Sequence, residues 1–274
     1  MSASANREQR PVTIGELLRM KESGERIVAL TAYDYLLARI VDDAGVDVVL
    51  VGDSLGTVVL GHDSTIPVTL EDMIHHARAV RRGVTRALLV VDLPFLTYPT
   101  SADALRSAGR VLQQTGAAAV KLEGGSEQTA ETVRALVRSG IPVMGHLGFT
   151  PQSEHTLGRA RVQGRDDGDA ARLREEAGRL EDAGAFSVVL ELLPGALGRD
   201  ITAALRVPTI GIGAGPECDG QVLVLPDMLG LNPDFRPRFL RRFAELGEQA
   251  REGIAEYARS VRDGTYPAAE HTWE

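Results

Sequence analysis

The chain has 274 residues, of which 43% are hydrophobic and 25% are charged, and its formal net charge is −8 at pH 7. These values exclude wholesale disorder and the basic surface of a protein that binds nucleic acid or an anionic membrane. Cys218 is the only cysteine, which excludes an internal disulfide and suits a reducing compartment. The chain lacks the apolar region of a secretory signal and any apolar run long enough to span a bilayer, so we expect a soluble cytoplasmic protein.

Short apolar runs alternate with helical patterns, and this order predicts a parallel sheet. Residues 1–10 are expected to form a disordered tail and residues 11–274 a single domain. A helix over 13–23, which Gly24 ends, comes before the first strand and is placed to cap the sheet. Strands are predicted at 27–32, 47–52, 87–92, 117–123, 142–146, 187–191, 209–213 and 221–225. Eight strands in a chain of this length predict one (β/α)8 TIM barrel.

Helices are predicted between most of these strands. Thr69 is expected to cap one of them, with Asp72 at the capping-box position, and Ser101 is expected to cap the next. The segment 55–67, rich in Gly and Thr, is expected to be a loop. The predicted helices span residues 33–44, 70–83, 101–115, 127–139, 170–183 and 194–205.

Two long segments fall outside the regular alternation. Residues 147–168 form the longest irregular piece, which is either a lid or binding loop or a mobile insertion. Residues 235–262 predict a long C-terminal helix with an apolar stripe, which suits a partner surface in an oligomer.

Five of the predicted strands carry an ionisable residue at or just beyond their carboxyl ends. In an α/β barrel these ends all meet on one face, where such enzymes keep their chemistry. The sequence therefore predicts a site there, built from the following residues: Asp53 and Ser54, Asp92, Lys121 and Glu123, His146, and Glu191.

Asp53 and Asp92 follow neighbouring strands, so their carboxylates are expected to lie close together and to repel each other. A hard cation such as Mg²⁺ relieves this repulsion and typically takes one or two carboxylates. Glu123 on the next strand is a further, looser contact through water. The alternative is that each Asp caps the helix that follows it.

Three further residues suit a substrate site. Lys121 points to the same side of its strand as Glu123, so it either faces an anionic substrate or pairs with a neighbouring acid. Glu191, flanked by apolar residues, is either a general base or a solvated acid at a strand end. His146 either binds a substrate oxygen or is a hydrogen-bonded structural histidine.

Seven short motifs together resemble the ketopantoate hydroxymethyltransferase family, also called 3-methyl-2-oxobutanoate hydroxymethyltransferase, over roughly residues 13–243. Each motif alone is weak, but the combination is specific. They are TAYD at 31–34, VGDSLG at 51–56, VDLPF at 91–95, VKLEGG at 120–125, GHLG at 145–148, ELLP at 191–194 and GIGAG at 211–215.

The resemblance implies a Mg²⁺-dependent barrel, usually a homodecamer. Its implied activity moves a hydroxymethyl group from 5,10-methylenetetrahydrofolate to 3-methyl-2-oxobutanoate through an enolate, giving 2-dehydropantoate for pantothenate and coenzyme A biosynthesis. It implies Asp53 and Asp92 as Mg²⁺ ligands with Glu123 as a third metal contact. It also implies that Asp53, Ser54, Asp92 and Lys121 line the keto-acid site and that Glu191 accepts the proton.

Two other functions remain open at this point. One is a Mg²⁺-dependent lyase or mutase of the phosphoenolpyruvate mutase and isocitrate lyase type, which typically carries a reactive cysteine in a gated loop. The segment 147–168 has no cysteine, which argues against it. The other is a catalytically dead barrel that serves as a binding module.

Overall fold

The computed structural model describes residues 10–158 and 160–273, so the predicted tail, apart from Arg10, and Arg159 in the long loop lie outside the described residues. Contacts divide the chain into two compact units, Met1–Val224 and Leu225–Glu274. That residues 11–274 form a single domain stays a prediction. No helix in the described part of the chain combines the length and apolar character that a membrane span needs.

The first unit contains a closed barrel of eight parallel strands, each paired with its neighbours in chain order, and β1 pairs with β8 to close the ring. This confirms the predicted (β/α)8 barrel. The strands are β1 Ile27–Thr31, β2 Val48–Val51, β3 Leu88–Asp92, β4 Ala119–Glu123, β5 Val143–Gly148, β6 Ser187–Glu191, β7 Thr209–Ile212 and β8 Gly220–Leu223.

Nine described α-helices belong to this unit. They are α1 Ile14–Ser23, α2 Tyr35–Asp43, α3 Leu55–Val58, α4 Leu70–Gly83, α5 Ser101–Thr115, α6 Glu127–Arg138, α7 Glu154–Leu157, α8 Asp167–Asp182 and α9 Gly195–Ala204. A 3₁₀ helix at Pro151–Ser153 leads into α7. The predicted loop at 147–168 therefore contains two short helical turns, and the predicted loop at 55–67 begins with one.

Side-chain caps fix where several helices begin. The capping box predicted for α4 is confirmed, because Thr69 Oγ1 accepts from the Asp72 backbone N–H while the Asp72 carboxylate accepts from Thr69 N–H. The predicted cap of α5 was wrong by one residue. Thr100, in an extended conformation, accepts from Asp103 N–H, and Ser101 is the first helical residue.

Helix α1 covers the amino-terminal end of the barrel. Leu17 and Met20 are buried in the same apolar cluster as the strand residues Ile27 and Val48. The Val12 N–H donates to the Arg86 carbonyl oxygen at 2.7 Å, just before β3 begins. These contacts confirm the predicted capping helix, and they leave the opposite end of the barrel open for polar side chains.

The second unit contains α10 Leu225–Met228, α11 Leu246–Arg262 and a 3₁₀ turn at Ala269–His271. The prediction that α11 begins at 235 was wrong. Pro237 lacks an N–H, and the Phe243 and Leu246 N–H groups donate to the carbonyl oxygens of Met228 and Leu229 instead of building a helix. The apolar stripe of α11 is exposed, with Ile254 68% and Tyr257 60% accessible.

Asp42, buried near the end of α2, ties that helix to the start of β3. Its carboxylate accepts from the backbone N–H groups of Thr85, Arg86 and Ala87, at 2.7 Å for Thr85 and Ala87. Burial alone would raise the pKa of Asp42, but these donors outweigh it and lower the pKa. A lowered pKa means that the stabilisation is present above the ordinary value of 3.8 and is lost as the pH falls through the lowered one.

We expect Asp42→Asn to destabilise the protein at pH 7 by about 2–3 kcal/mol, because charge-assisted hydrogen bonds are lost in a buried position. For a chain of this size the corresponding drop in Tm is about 4–10 °C, measurable by thermal denaturation. Asp43→Asn is the matched control, since Asp43 is exposed on the same helix. Equal Tm values for the two variants would contradict this role of Asp42.

Candidate active site

The twofold alternation of the strands brings the predicted polar residues into the barrel interior. Leu88 and Val90 of β3 belong to the interior apolar cluster, so Asp92 faces the same way two residues later. By the same alternation, Ala119 leads to Lys121 and Glu123, Met144 to His146, and Val189 to Glu191. The predicted set thus meets at the carboxyl ends of the strands, above the apolar core.

A buried ion pair joins the ends of β3 and β4. Lys121 Nζ lies 2.8 Å from Asp92 Oδ1, and the two residues are direct partners in the strand register. The other oxygen, Asp92 Oδ2, accepts from the Asp53 backbone N–H at 3.1 Å. Asp92, Lys121 and Asp53 are all buried, so this pair links three strand ends in a medium of low polarity.

Neither aspartate caps a helix, which removes the alternative interpretation of these two acids. Helix α3 has Ser54 at its N-cap, and α5 is capped by Thr100. Asp53 instead accepts a hydrogen bond from Gln152, and Asp92 pairs with Lys121. Their carboxylates therefore contact side chains inside the site.

His146 lies between two carboxylates. Its Nδ1 is 3.4 Å from Glu123 Oε1, and its Nε2 is 3.2 Å from Glu191 Oε2. Lys121 Nζ also approaches His146 Nδ1, at 3.4 Å. The imidazole thus connects the acids at the ends of β4 and β6, and it holds the Glu191 carboxylate over the barrel mouth, where that side chain is 17% accessible.

Ser54 is held by a tyrosine that sequence reasoning did not assign to the site. The hydroxyl groups of Tyr33 and Ser54 share a hydrogen bond of 2.8 Å, and His76 Nδ1 donates to the Tyr33 carbonyl oxygen at 2.7 Å. The side chain of Ser54 is therefore oriented at the end of β2, next to Asp53.

Gly148 allows the chain to leave β5 beside Glu191. Its φ is +98°, and a Cβ there would lie 2.1 Å from the Glu191 carbonyl oxygen, so a larger residue does not fit. Phe149 N–H then donates to that same carbonyl oxygen at 2.9 Å. The chain consequently crosses the barrel mouth and brings Gln152 over the acids.

Gln152 and Tyr98 complete the site, and no motif in the sequence pointed to either residue. Gln152 Nε2 donates to Asp53 Oδ2 at 2.8 Å, and its backbone N–H donates to Glu123 Oε2 at 3.0 Å. The Tyr98 hydroxyl donates to Gln152 Oε1 at 2.6 Å. For Gln152 the only indication was its position in the segment 147–168, which the sequence predicted as a possible binding loop.

The site holds more negative than positive charge. Burial, followed by the nearby charges of Asp92 and Glu123, raises the pKa of Asp53 to about 8. Burial also raises the pKa of Asp92, although Lys121 opposes this. Burial alone would lower the pKa of Lys121, but the carboxylates of Asp92, Glu123 and Asp53 outweigh it and raise that pKa.

These residues fit a hard divalent cation. The donors are carboxylate oxygens, a further positive charge would relieve the repulsion that raises the pKa of Asp53, and Glu123 Oε1 is buried without a hydrogen bond from any described residue. No three His, Cys, Asp or Glu side chains within 10–158 and 160–273 are grouped so that they hold a metal ion by themselves. Mg²⁺ typically needs only one or two carboxylates, since water and substrate supply the other oxygens.

Comparison with known proteins identifies relatives of this sequence. A family model described as ketopantoate hydroxymethyltransferase matches residues 11–269. A 3-methyl-2-oxobutanoate hydroxymethyltransferase of Chloroflexus aurantiacus is 55% identical over 95% of this chain and 92% of its own length. Its counterpart in Syntrophus aciditrophicus is 51% identical over 98% of this chain and 99% of its own length. The counterpart in Moorella thermoacetica is 54% identical over 96% of this chain and 98% of its own length.

Solved structures with a similar fold are more distant in sequence. A phosphonopyruvate hydrolase in complex with oxalate and Mg²⁺ aligns with a TM-score of 0.60 at 12% identity, covering 94% of this chain and 92% of its own. A 2,3-dimethylmalate lyase of the PEP mutase/isocitrate lyase superfamily aligns with a TM-score of 0.58 at 20% identity, covering 95% and 91%. At these identities the likeness establishes the fold alone.

The position of His146 between two carboxylates leads to a prediction about its protonation. Burial and Lys121 lower the pKa of His146, but the carboxylates of Glu123 and Glu191, which lie beside its two ring nitrogens, outweigh them and raise it to about 9. In the metal-free protein we therefore expect the imidazole to remain protonated at pH 7.5. NMR titration of the histidine ring signals measures this, with His146→Gln identifying the signal, and titration at or below pH 6.5 would contradict the described geometry.

Proposed function

The chain belongs to the ketopantoate hydroxymethyltransferase family, and we propose that it transfers a hydroxymethyl group from 5,10-methylenetetrahydrofolate to 3-methyl-2-oxobutanoate, giving 2-dehydropantoate. The observation that carries this proposal is the match to 3-methyl-2-oxobutanoate hydroxymethyltransferases at 51–55% identity over nearly the whole chain. The gathering of Asp53, Asp92, Lys121, Glu123 and Glu191 at one end of the barrel supports it.

Mg²⁺ would be held by Asp53 and Asp92, with Glu123 as a third, outer contact. When bound, it would polarise the keto oxygen of the substrate and stabilise the negative charge that develops there. The excess of buried carboxylates supports this assignment, because desolvated acids near one another bind a cation in preference to protons when the cation is available.

Lys121, Ser54 and His146 are proposed to receive the keto acid. Lys121 brings an ammonium group into a buried region, where it offsets the charge of the substrate carboxylate. Ser54, oriented by Tyr33, offers a hydroxyl beside Asp53. His146 offers an imidazole that either donates to a substrate oxygen or holds Glu191.

Glu191 is proposed as the proton acceptor at C3 of the substrate. Its carboxylate is the most accessible of the acids at these strand ends, and His146 Nε2 fixes its orientation from 3.2 Å. Removal of the C3 proton leaves a carbanion that is conjugated with the carbonyl. This carbon bonds to the methylene carbon of the folate, whose two C–N bonds break, and one water molecule supplies the hydroxyl oxygen of the product, so that tetrahydrofolate is released. Orientation by a positioned neighbour is what a general base needs for an unactivated C–H bond.

The lyase and mutase alternative is not carried forward. The segment 147–168 contains no cysteine, and Cys218 is buried just before β8, whereas that loop follows the carboxyl end of β5. Gln152 occupies the loop position nearest the acids instead. The binding-module alternative also loses support, since all the predicted catalytic and substrate residues of the site are present and face one another.

We further propose a cytoplasmic homodecamer. Exposed apolar side chains within each compact unit support an assembly, because such residues on helices typically mark protein contacts. In the first unit, Leu36 and Ile40 on α2 are 62% and 60% accessible, and in the second, Ile254 and Tyr257 on α11 are exposed to a similar extent.

Glu191→Gln tests the proton acceptor. We expect this variant to bind 3-methyl-2-oxobutanoate as the wild type does, while C3 proton exchange in D₂O slows by about 10²–10⁴-fold, because the amide cannot accept the proton. Proton NMR follows the exchange, and Glu217→Gln, an exposed glutamate, is the matched control. A wild-type exchange rate in Glu191→Gln would rule out this role.

Light scattering of the purified protein tests the assembly. A decamer of 29.4 kDa chains has a mass of about 294 kDa, which is ten times the chain mass. If α11 forms part of the interface, Ile254→Asp lowers this mass, while Glu252→Gln on the same helix leaves it unchanged. A monomeric wild type would refute the proposed assembly.

A further inference from the structure

Gln152 uses its side-chain amide and its backbone N–H within the site. Its side-chain Nε2 donates both hydrogens, one to Asp53 Oδ2 at 2.8 Å and one to the Leu93 carbonyl oxygen at 3.0 Å. Its Oε1 accepts from the Tyr98 hydroxyl at 2.6 Å, and its backbone N–H donates to Glu123 Oε2 at 3.0 Å. One residue therefore joins the ends of β2, β3 and β4 to the segment that follows β5.

The partners of Gln152 require a carboxamide in one orientation. Asp53 Oδ2 and the Leu93 carbonyl oxygen are both acceptors, so they need an NH₂ group on their side. Tyr98 receives the Glu123 backbone N–H at 3.3 Å, so its own proton points to Gln152 Oε1. A carboxylate would place oxygen against oxygen at Asp53. An apolar side chain would remove the donor to Asp53 and Leu93 and the acceptor of the Tyr98 hydroxyl proton.

The hydrogen bond between Gln152 and Asp53 can fix the orientation of the Asp53 carboxylate because both residues are buried. Gln152 is 7% accessible and Asp53 is 4% accessible. In such surroundings a hydrogen bond is stronger than in water, and an unpaired polar group is costly. The carboxylate of Asp53 is thus fixed through one oxygen by an amide that is itself fixed from three sides.

A purely structural role for Gln152 is the alternative, in which it only fastens the segment 149–158 to the barrel. The backbone supplies an independent attachment, because Gln152 N–H donates to Glu123 and Phe149 N–H donates to the Glu191 carbonyl oxygen at 2.9 Å. Side-chain substitutions keep both of these bonds. They therefore separate the orientation of Asp53 from the attachment of the segment.

We propose that Gln152 is a positioning residue, which acts by holding the Asp53 carboxylate in the orientation that receives the divalent cation. The proposal rests on the function proposed above, since it concerns the cation of that same site. Tyr98 supports the same arrangement from the other side of the amide, because its hydroxyl keeps Oε1 away from Asp53.

Equilibrium binding of Mn²⁺ tests the proposal without turnover or folate. Electron paramagnetic resonance reports the free ion, and Mg²⁺ serves as competitor. We expect Gln152→Met to weaken binding by about 10-fold or more, as is typical when a residue that orients a ligand is removed. Gln163→Met is the matched control, because Gln163 is buried in the same loop segment and its Nε2 donates to the nearby Arg161 carbonyl oxygen.

Three outcomes distinguish the possible failures. Wild-type Mn²⁺ affinity in a folded Gln152→Met protein would overturn the positioning role while leaving the proposed activity intact. Absence of Mn²⁺ binding by the wild type would overturn both the cation site and the role of Gln152. If Gln152→Met does not fold, Tyr98→Phe provides the second test, since it removes the hydroxyl that holds Oε1 of the amide, and unchanged affinity there would also overturn the proposal.

Discussion

Lys121 lies among three buried carboxylates, and its ion pair with Asp92 is the interaction on which the rest of the site depends. Asp53 and Glu123 lie beside this pair away from water, and burial together with the nearby acids raises the pKa of Asp53 to about 8. Breaking a buried pair of this kind costs about 3–5 kcal/mol, because the remaining charge has no partner. Under the proposed function, the same crowded acids would hold the divalent cation.

Barrel closure is what concentrates these charges. The strands contribute apolar residues to the interior at every second position, and on β3, β4, β5 and β6 the same alternation carries one or two polar side chains beyond the last apolar layer. The parallel register then sets neighbours side by side, with Asp92 opposite Lys121 and Glu123 opposite His146. The apolar core below, covered by α1, keeps water from the other end, so the acids are desolvated on the side where they meet.

The features that follow from local pattern were predictable, and those that follow from distant contacts were not. Strand-end residues such as Asp92 and Glu191 could be assigned because period two and barrel topology decide where they point. Gln152 could not, since it meets Asp53 across 99 positions of sequence through a loop whose path depends on Gly148. The start of α11 was missed for a similar reason, because its preceding N–H groups bond to the segment after α10.

The most direct test of the account is proton NMR of 3-methyl-2-oxobutanoate in D₂O with the wild-type protein and Mg²⁺, followed by addition of 5,10-methylenetetrahydrofolate. The account predicts loss of the C3 proton signal before folate is added and appearance of 2-dehydropantoate afterwards. Exchange without product would leave an enolising site but contradict hydroxymethyl transfer. A stable C3 signal with folded, Mg²⁺-loaded protein would contradict the assignment of the site itself.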